Sequence, residues 1–440
     1  MFYNRENELK TLESEYDRKG SAFTVVYGRR RVGKTALISK YIANKPSLFI
    51  YATEASFLIQ LENLKSQLLN LIGKPYLGDI KLESFDQLFT LLCEYDFEKK
   101  LVLVIDEYQN LCKIDKAFSS VLQRVWDIQL KSKNIHLILS GSVISMMHSE
   151  VLDYTAPLYG RRTTNIQLKQ LQFKYIKTFL PSLQREDEMR VFASFGTIPK
   201  YLELYDDNKE FMANIEENIL SKNSFLYSEG NFLLKQELGN VSTYFSILET
   251  ISKGDTKIGN IASRLQVPST YITRYLNRLI SLDILIKEVP VTESNPLKSK
   301  MGRYKFKDKF LNFWFYYVYK NYNHLEIGQI ARVLDEIEMS FNDRFVSFAF
   351  EDFILEEIQC NPSKYIDFIP KKLGRWWNKN EEIDIVAMDD EQLCFIECKW
   401  QNSVNKEREL RQLKKKSKVV AHNLKESFLV VSKEDYLSGW

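Results

Sequence analysis

Residues Gly28–Thr35 read Gly-Arg-Arg-Arg-Val-Gly-Lys-Thr, which is the G-x-x-x-x-G-K-T pattern of a phosphate-binding loop. The apolar run Phe23–Tyr27 precedes the loop and predicts a strand, and Thr35–Ile42 is predicted to form the helix that follows it. Glycines let backbone N–H groups curl around phosphate oxygens, and the N-terminus of the helix attracts the same anion. The stretch therefore predicts an α/β fold that binds a nucleoside triphosphate.

Two side chains of this loop carry the expected chemistry. Lys34 is predicted to reach the β- and γ-phosphates, and the Thr35 hydroxyl is predicted to ligate Mg²⁺. The residues expected to hold the nucleotide follow one another along the chain: Gly28, Arg29, Arg30, Arg31, Val32, Gly33, Lys34, Thr35 and Ala36.

A second apolar run, Leu101–Ile105, ends in the two carboxylates of Asp106 and Glu107. This is the pattern of a Walker B strand. Asp106 is predicted to hold Mg²⁺, usually through water, and Glu107 to orient or deprotonate the water that attacks the γ-phosphate. The sequence thus predicts hydrolysis as well as binding.

A third apolar run, Ile135–Leu139, ends in hydroxyl groups where a sensor of the γ-phosphate would lie. Ser140 is the expected sensor, and Ser142 is the alternative. Further along, Arg161 and Arg162 are candidates for an arginine finger that stabilises transition-state charge, in cis or from a neighbouring subunit. Solvated surface charge is the alternative interpretation of this arginine pair.

Composition limits the class of protein. The chain has 440 residues, enough for about three domains, and 61 basic against 58 acidic residues, so a surface that binds nucleic acid must be a local patch. The five cysteines lack C-x-x-C spacing, which predicts reduced intracellular thiols and no zinc site. The longest apolar run, Phe313–Tyr319, is too short to span a bilayer, so we expect a cytoplasmic protein without a membrane partner.

Residues 241–305 have the pattern of a winged helix, with three helices followed by two strands. The third helix, Tyr271–Ser281, is predicted to begin after Ser269 or Thr270 as its N-cap. Its buried side is predicted to hold Ile272, Leu276 and Leu279, and its outward side Thr273, Arg274, Asn277 and Arg278. Such a helix can enter the major groove of DNA, although winged helices also make protein contacts.

The C-terminal region contains a second group of charged residues. Asp384 and the Glu397-x-Lys399 pair lie on two predicted strands, and alternation puts Glu397 and Lys399 on the same strand face. Carboxylates on adjacent strands repel, so this group favours Mg²⁺ or Mn²⁺, with Lys399 activating water near a scissile phosphate. The basic stretch 406–418 would follow a phosphodiester backbone or form a solvated face.

Nearly the whole chain resembles the archaeal-type ATPases of the AAA/STAND division. The resemblance rests on Asn4–Leu9, Gly28–Thr35, Asp106–Gln109, Ser140–Ser142 and Gly196–Leu202. The segment Asp308–Trp314 belongs to a part similar to the DEXX-box ATPase C-terminal domain, which is regarded as a divergent PD-(D/E)XK nuclease fold.

This resemblance implies ATP as the nucleotide and a helical lid whose Pro199 touches the base. It also implies metal ligation by Glu351, Asp384 and Glu397, with Lys399 catalytic. The residue before Asp384 is Ile383, where the Pro-Asp dipeptide of the superfamily would have proline.

The expected fold class is multidomain α/β: a RecA-like parallel-sheet P-loop core, a helical lid, a winged helix and a C-terminal α/β restriction-endonuclease-like domain. The corresponding ranges are 1–165 for the ATPase core, 166–240 for the lid, 241–305 for the winged helix, 306–340 for a helical connector and 341–440 for the PD-(D/E)XK-like domain.

The leading hypothesis is a Mg²⁺-dependent switch that binds and hydrolyses ATP, has DNA as its target and carries a metal-dependent nuclease site at its C-terminus. The alternative is an ATP-gated, non-catalytic regulator that binds DNA or protein through an inactive nuclease-like domain. A homo-oligomer or a protein partner is expected alongside ATP and DNA.

Overall fold

The computed structural model describes residues 3–53, 55–238 and 241–439. The chain divides into two compact units. The first consists of Met1–Gln172 with Ile198–Lys200, and the second consists of Phe173–Thr197 with Tyr201–Trp440.

A five-stranded parallel sheet forms the centre of the first unit. Its strands are β1 (Ala22–Tyr27), β2 (Ser47–Tyr51), β3 (Leu101–Asp106), β4 (Ile135–Gly141) and β5 (Thr164–Gln167). They lie in the order β2-β3-β4-β1-β5. The predicted parallel sheet is confirmed, and β5 is an additional edge strand.

Helices cover this sheet on both faces. They are α1 (Glu6–Asp17), α2 (Lys34–Ile42), α3 (Phe57–Leu71), α4 (Phe85–Cys93), α5 (Gln109–Ile114), α6 (Phe118–Ile128) and α7 (Ile144–Met147). Every residue of β1, β3 and β4 is buried, as expected for parallel strands that lie between two helical layers. Alternate side chains of β1 enter two separate apolar clusters, which contain Phe23 and Val26 respectively. The sheet therefore forms a rigid platform whose carboxyl edge holds the phosphate-binding loop.

The helices after residue 173 form most of the second unit. They are α8 (Ile176–Phe179), α9 (Arg185–Ser194), α10 (Pro199–Leu202), α11 (Phe211–Ile215), α12 (Glu229–Glu237), α13 (Ser242–Ser252), α14 (Ile258–Arg264), α15 (Ser269–Ser281), α16 (Lys309–Phe313), α17 (Tyr322–Glu326), α18 (Ile330–Phe341), α19 (Ser347–Cys360), α20 (Lys406–Ser417) and α21 (Lys433–Ser438).

Two antiparallel strands, β6 (Leu285–Glu288) and β7 (Arg303–Phe306), follow helices α13 to α15. The buried side of α15 consists of Ile272, Leu276 and Leu279, as the periodicity predicts. The N-cap prediction is wrong: Pro268 is the N-cap and Ser269 is the first helical residue, because the proline ends the preceding turn in an extended conformation.

A four-stranded sheet lies near the C-terminus. Its strands are β8 (Lys372–Trp377), β9 (Glu382–Met388), β10 (Gln392–Lys399) and β11 (Lys425–Ser432). The order is β11-β10-β9-β8, with β11 parallel to β10 and the other pairs antiparallel. The predicted pairing of β9 with β10 is confirmed, and it brings Ile385 opposite Ile396. The C-terminal sheet domain expected from the sequence is therefore present.

In the parts of the chain that the structure describes, every helix is too short or too polar to cross a membrane.

Candidate functional site

The turn between β1 and α2 requires glycine at two positions. A Cβ on Gly28 would lie 2.3 Å from the backbone oxygen of Leu168, so no larger residue fits there. Gly33 has a φ of 95° and is the N-cap of α2, a conformation that residues with a Cβ rarely adopt. The loop can therefore pass close to Leu168 and turn sharply into the start of α2, whose N-terminus attracts anions.

Lys34 is buried inside this loop. Its Nζ donates to the carbonyl oxygens of Gly28 and Arg29, both at 2.9 Å. The loop is held from outside by Arg5, which is also buried and donates to the carbonyl oxygen of Val32 at 3.0 Å. The ammonium therefore has a fixed place within the turn that the sequence assigns to phosphates.

Thr35 and Asp106 meet at the carboxyl edge of the sheet. Thr35 Oγ1 donates to Asp106 Oδ2 at 2.8 Å, so the hydroxyl and the carboxylate converge from α2 and β3. Hard oxygen donors of this kind suit Mg²⁺, and the arrangement fits the predicted ion. Thr35 and Asp106 would hold it, and its charge would neutralise phosphate oxygens.

Glu107 lies just past the end of β3 in a left-handed backbone conformation, with a φ of 54°. Ser142 Oγ donates to its Oε2 at 2.6 Å, and the amide of Gln109 donates to the same oxygen. Gln109 also donates to Ser142 Oγ at 3.2 Å. The carboxylate is therefore oriented by two polar side chains at the edge of the sheet.

Ser140 has a different environment from Ser142. It is fully buried, and its hydroxyl has no hydrogen-bond partner in the part of the chain that the structure describes. Its carbonyl oxygen accepts from the Tyr108 backbone N–H at 2.9 Å, next to Glu107. Of the two predicted sensors, the structure brings Ser142 into contact with the carboxylate of Glu107.

Arg161 and Arg162 lie just before β5, at the opposite edge of the sheet from the loop. Thr24 pairs with Thr164 in a parallel register, so the two arginines are level with the start of β1. A six-residue strand separates these edges by roughly 20 Å. Arg161 pairs with Asp127 at 3.0 Å, and Arg162 donates to the carbonyl oxygen of Val151 at 3.1 Å. The role of the two arginines stays a prediction.

Pro199 is the first residue of α10 and falls among the residues that cluster with the first unit. Its predicted contact with a base stays a prediction.

The acids of the C-terminal sheet form a separate cluster with basic partners. Lys399 Nζ donates to Glu397 Oε1 at 2.7 Å, and Lys416 Nζ donates to the same oxygen at 3.0 Å. Asp384 Oδ2 accepts from the Cys398 backbone N–H at 2.8 Å. Glu351, on α19, accepts from Arg375 at 3.1 Å. The structure thus brings the four predicted residues Glu351, Asp384, Glu397 and Lys399 into one charged network.

Burial dominates the electrostatics of this cluster. It raises the pKa of Asp384 to about 8, and the charges of Glu351 and Glu397 act in the same direction. Burial also raises the pKa of Glu351, although Arg375 opposes that shift. Burial lowers the pKa of Lys399, but the hydrogen bond and the charge of Glu397 outweigh it, so this pKa is raised.

Arg375 connects this cluster to the strand β6. The guanidinium is 5% exposed and contacts three carboxylates: Glu351, Asp352 at 2.6 Å and Glu288 at 3.0 Å. Within residues 3–53, 55–238 and 241–439, no group of three acidic, histidine or cysteine side chains is arranged to hold a metal ion. Because cations neutralise the acids, the cluster does not fit a metal in this arrangement.

A protein of Methanocaldococcus jannaschii, itself uncharacterized, is 35% identical to this chain over 425 residues, which cover 96% of this chain and 92% of that protein. The chain belongs to the same family. A 45-residue stretch, 10% of the chain, is 49% identical to an uncharacterized ATP-binding protein of that organism and covers 76% of it.

Two family models match parts of the chain. Residues 2–205 match an ATPase domain found predominantly in Archaea, and residues 314–413 match archaeal and bacterial proteins of unknown function. A Walker-type ATPase of Pyrococcus abyssi has a similar fold, with a TM-score of 0.51 and 18% identity, over 71% of this chain and 96% of that one. With the geometry of the loop, the family match identifies the first unit as a P-loop ATPase domain that binds ATP, and the solved structure shows a shared fold.

Several residues of both clusters were not predicted from the sequence. Gln109, Arg5 and Arg375 reach their partners through tertiary contacts, and only the position of Gln109, two residues after Glu107, hints at its role. Lys416 belongs to the predicted basic stretch, but it turns inward to Glu397, while Lys414, Lys415 and Lys418 are exposed.

Proposed function

We propose that this ATPase is a switch that uses Mg²⁺ and ATP to control DNA bound by its C-terminal unit. The observation that carries the proposal is the convergence of Lys34, the Thr35–Asp106 pair and the oriented Glu107 at one edge of the parallel sheet. A site with these groups can both neutralise a triphosphate and position a water for attack.

Hydrolysis would depend on how Glu107 is held. Ser142 and Gln109 both donate to one oxygen, Oε2, so the other oxygen stays available to accept a proton from water. Lys34 would stabilise negative charge on the phosphates at the same time. The strained backbone at Glu107 fixes the direction of its side chain before the nucleotide arrives.

Arg161 and Arg162 would act on the nucleotide of a second copy of the chain. Support comes from their position at the amino edge of the sheet, far from the loop of their own subunit. A homo-oligomer would then be required for full activity.

DNA contact is proposed for α15 and α20. The segment α13–α15 with β6 and β7 has the element order of a winged helix. On α15, Arg274 lies over the rings of Tyr271 and Tyr275, at 5.0 and 4.8 Å, which holds the guanidinium at an exposed surface. Exposed cations also follow one another along α20 and just beyond it: Lys406, Arg408, Arg411, Lys414, Lys415 and Lys418. Such a surface suits contacts to phosphates.

For the C-terminal sheet, we propose a nuclease-like domain that this structure holds in a neutralised form. Support comes from Asp384 on β9 and Glu397 on β10, which lie on adjacent strands just beyond the paired residues Ile385 and Ile396. Cleavage would require Arg375 and Lys416 to leave the acids. A non-catalytic domain that only grips DNA is the second candidate, and the pairing of every acid with a cation or a backbone N–H favours it.

Supercoiled plasmid incubated with Mg²⁺, with and without ATP, tests this proposal. Wild type should nick or linearise the plasmid to an extent that depends on ATP, Lys34→Ala should lose that dependence, and Glu397→Ala should leave the plasmid intact. Glu391→Ala is a control for a lost carboxylate, because this side chain is exposed and lies just before β10. Intact plasmid with both wild type and Glu397→Ala would contradict the nuclease and leave the binding function.

A gel shift that is equal for wild type and Arg274→Ala, at matched salt, would contradict DNA contact by α15.

A further inference from the structure

The second unit contains a cavity that neither the ATP site nor the acidic cluster explains. It has a volume of about 560 Å³ and is lined by the turn after α13, the start of α14, β7, α16 and the first turns of α19. Small-molecule sites in proteins have volumes of about 300–1,000 Å³. The space therefore suits one small ligand and not a duplex.

The lining of this cavity is strongly basic. Seven cationic and two carboxylate side chains contribute to it, which is an excess of five positive charges. The cations are Lys253, Lys257, Arg303, Lys305, Lys309, Arg344 and Arg375, and the carboxylates are Asp352 and Glu382. Three carboxylates outside the lining, Glu249, Glu288 and Glu351, pair with these cations and reduce the excess to two. Concentrated positive charge in a low-dielectric cavity attracts an anion.

Most of these cations have carboxylate partners, but two do not. Lys309 pairs with Asp352, and Arg303 pairs with Glu382 at 2.7 Å. Among the residues that the structure describes, neither Lys257 nor Arg344 has a carboxylate partner. Arg344 is half-buried, and its guanidinium donates to the Lys253 carbonyl oxygen at 2.6 Å, which fixes its place at the cavity. Several of its donors stay available for a ligand.

Aromatic rings complete the lining. Phe306, Phe345 and Phe348 contribute to the walls, and Phe348 is 50% exposed. An exposed ring beside grouped cations gives the cavity an apolar wall next to a charged one. A nucleobase attached to a phosphate has this combination of surfaces, because bases stack on aromatic side chains and phosphates pair with arginine and lysine.

We propose that this cavity binds the phosphate of a nucleotide, with the base against Phe348 and the phosphate between Lys257 and Arg344. The nucleotide is either free or the 5′-phosphorylated end of a nucleic acid strand, since both present the same chemistry. The site is independent of the phosphate-binding loop and does not require the nuclease-like domain to be catalytic.

Calorimetry on full-length Lys34→Ala protein tests this site, because the substitution removes nucleotide binding at the loop. Three probes are titrated: AMP, a short 5′-phosphorylated single-stranded oligonucleotide, and the same oligonucleotide with a 5′-hydroxyl. Binding of AMP identifies a free nucleotide as the ligand, and tighter binding of the phosphorylated than of the hydroxyl oligonucleotide identifies a strand end. In either case, the Lys34→Ala protein that also carries Lys257→Ala and Arg344→Gln should bind the probe at least roughly tenfold more weakly than Lys34→Ala alone. The expected loss is that of charged hydrogen bonds.

The matched control replaces two exposed lysines of the β6–β7 connection, Lys298→Ala with Lys300→Ala, and should leave the affinity unchanged. Lys257→Ala alone provides a second variant, since this exposed side chain can be removed without disturbing the core. Three results would each overturn the proposal: no heat with any probe, equal affinity for the phosphorylated and hydroxyl oligonucleotides without AMP binding, or equal effects of the cavity and control substitutions.

Discussion

At the scale of single residues, the chemistry at the sheet edge depends on where one carboxylate points. Glu107 has a left-handed backbone, which costs about 1–3 kcal/mol for a residue with a side chain, and Ser142 and Gln109 hold its Oε2. The two donors lie on different segments, one after β4 and one at the start of α5. The direction of Glu107 is therefore a property of the folded sheet edge.

Replacing Ser142 with alanine should slow ATP hydrolysis at saturating ATP by roughly tenfold, because Glu107 loses one of its two donors. ATP affinity should change little, since the hydroxyl of Ser142 bonds to Glu107 and Gln109. The comparison is Ser140→Ala, whose hydroxyl lacks a partner among the described residues and whose removal should cost less. Steady-state turnover with ADP detection measures both. A larger loss for Ser140→Ala would assign the sensor to Ser140 instead.

The residues that were predictable from the sequence are those whose role follows from their neighbours in the chain. Lys34, Thr35 and Asp106 belong to motifs with a local backbone geometry, so spacing alone indicates their function. Arg375 contacts two residues that lie 87 and 24 positions away along the chain. Its neighbours in β8 form no motif that indicates these contacts. Residues that act through tertiary contacts could not be identified in this way.

At the scale of elements, a buried histidine joins the strand β4 to the helix that follows the loop. His136 contacts Thr24 Oγ1 and the Tyr41 hydroxyl, each at 2.8 Å. Burial lowers the pKa of this histidine to about 3, and the charges of Lys100 and Lys45 act in the same direction. The neutral imidazole is therefore a structural part of the ATPase core.

The protein should lose stability in mild acid through His136. The unfolded chain binds a proton below pH about 6.5 and the folded chain does not, so this contribution is complete above that pH and declines as the pH falls toward 3. Between about pH 7.5 and 5.5, the loss is about 1.4 kcal/mol. Urea denaturation gives the free energy of unfolding of wild type and of His136→Gln at both pH values. The advantage of wild type over the variant should fall by this amount at the lower pH. A pH-independent difference would contradict a histidine that is neutral in the folded state.

A second element-scale contact joins β8 to β6 and α19 through the buried Arg375. Replacing it with methionine should destabilise the second unit by about 3–5 kcal/mol, because three carboxylates lose a shared cation. Thermal unfolding followed by circular dichroism measures the effect. The control is Lys371→Met, in which an exposed lysine just before β8 loses only its surface pair with Asp390. Equal midpoints for the two variants would show that Arg375 is not a structural centre.

Strands with a continuous apolar pattern were predicted from the sequence. Strands that mix apolar with polar or charged residues were not. Buried strands such as β3 are continuous runs of apolar residues, so their type was evident. Strand β8 contains Gly374 and Arg375, and β11 begins with exposed polar residues, so neither has the expected alternation. Pairing with β9 and β10 determines these strands, and pairing partners are not visible in a local pattern.

At the scale of the whole molecule, one chain combines an ATPase unit with a second unit that has a charged sheet and a basic cavity. The ATPase fold could be predicted because each of its motifs is a local pattern next to an apolar run. The clustering of Ile198–Lys200 with the first unit could not, because it depends on which distant segments pack together. The proposed switch requires that the state of the nucleotide in the first unit changes what the second unit binds.

The most direct test measures binding and hydrolysis of ATP separately on wild type, Lys34→Ala and Glu107→Gln. Calorimetry with Mg²⁺ and ATP should give similar affinities for wild type and Glu107→Gln and no binding for Lys34→Ala. Turnover of Glu107→Gln should be at least roughly 100-fold slower than that of wild type, because the residue that positions water is lost. Wild-type turnover by Glu107→Gln, or no Mg²⁺-dependent uptake of ATP by folded wild type, would contradict hydrolysis at this sheet edge.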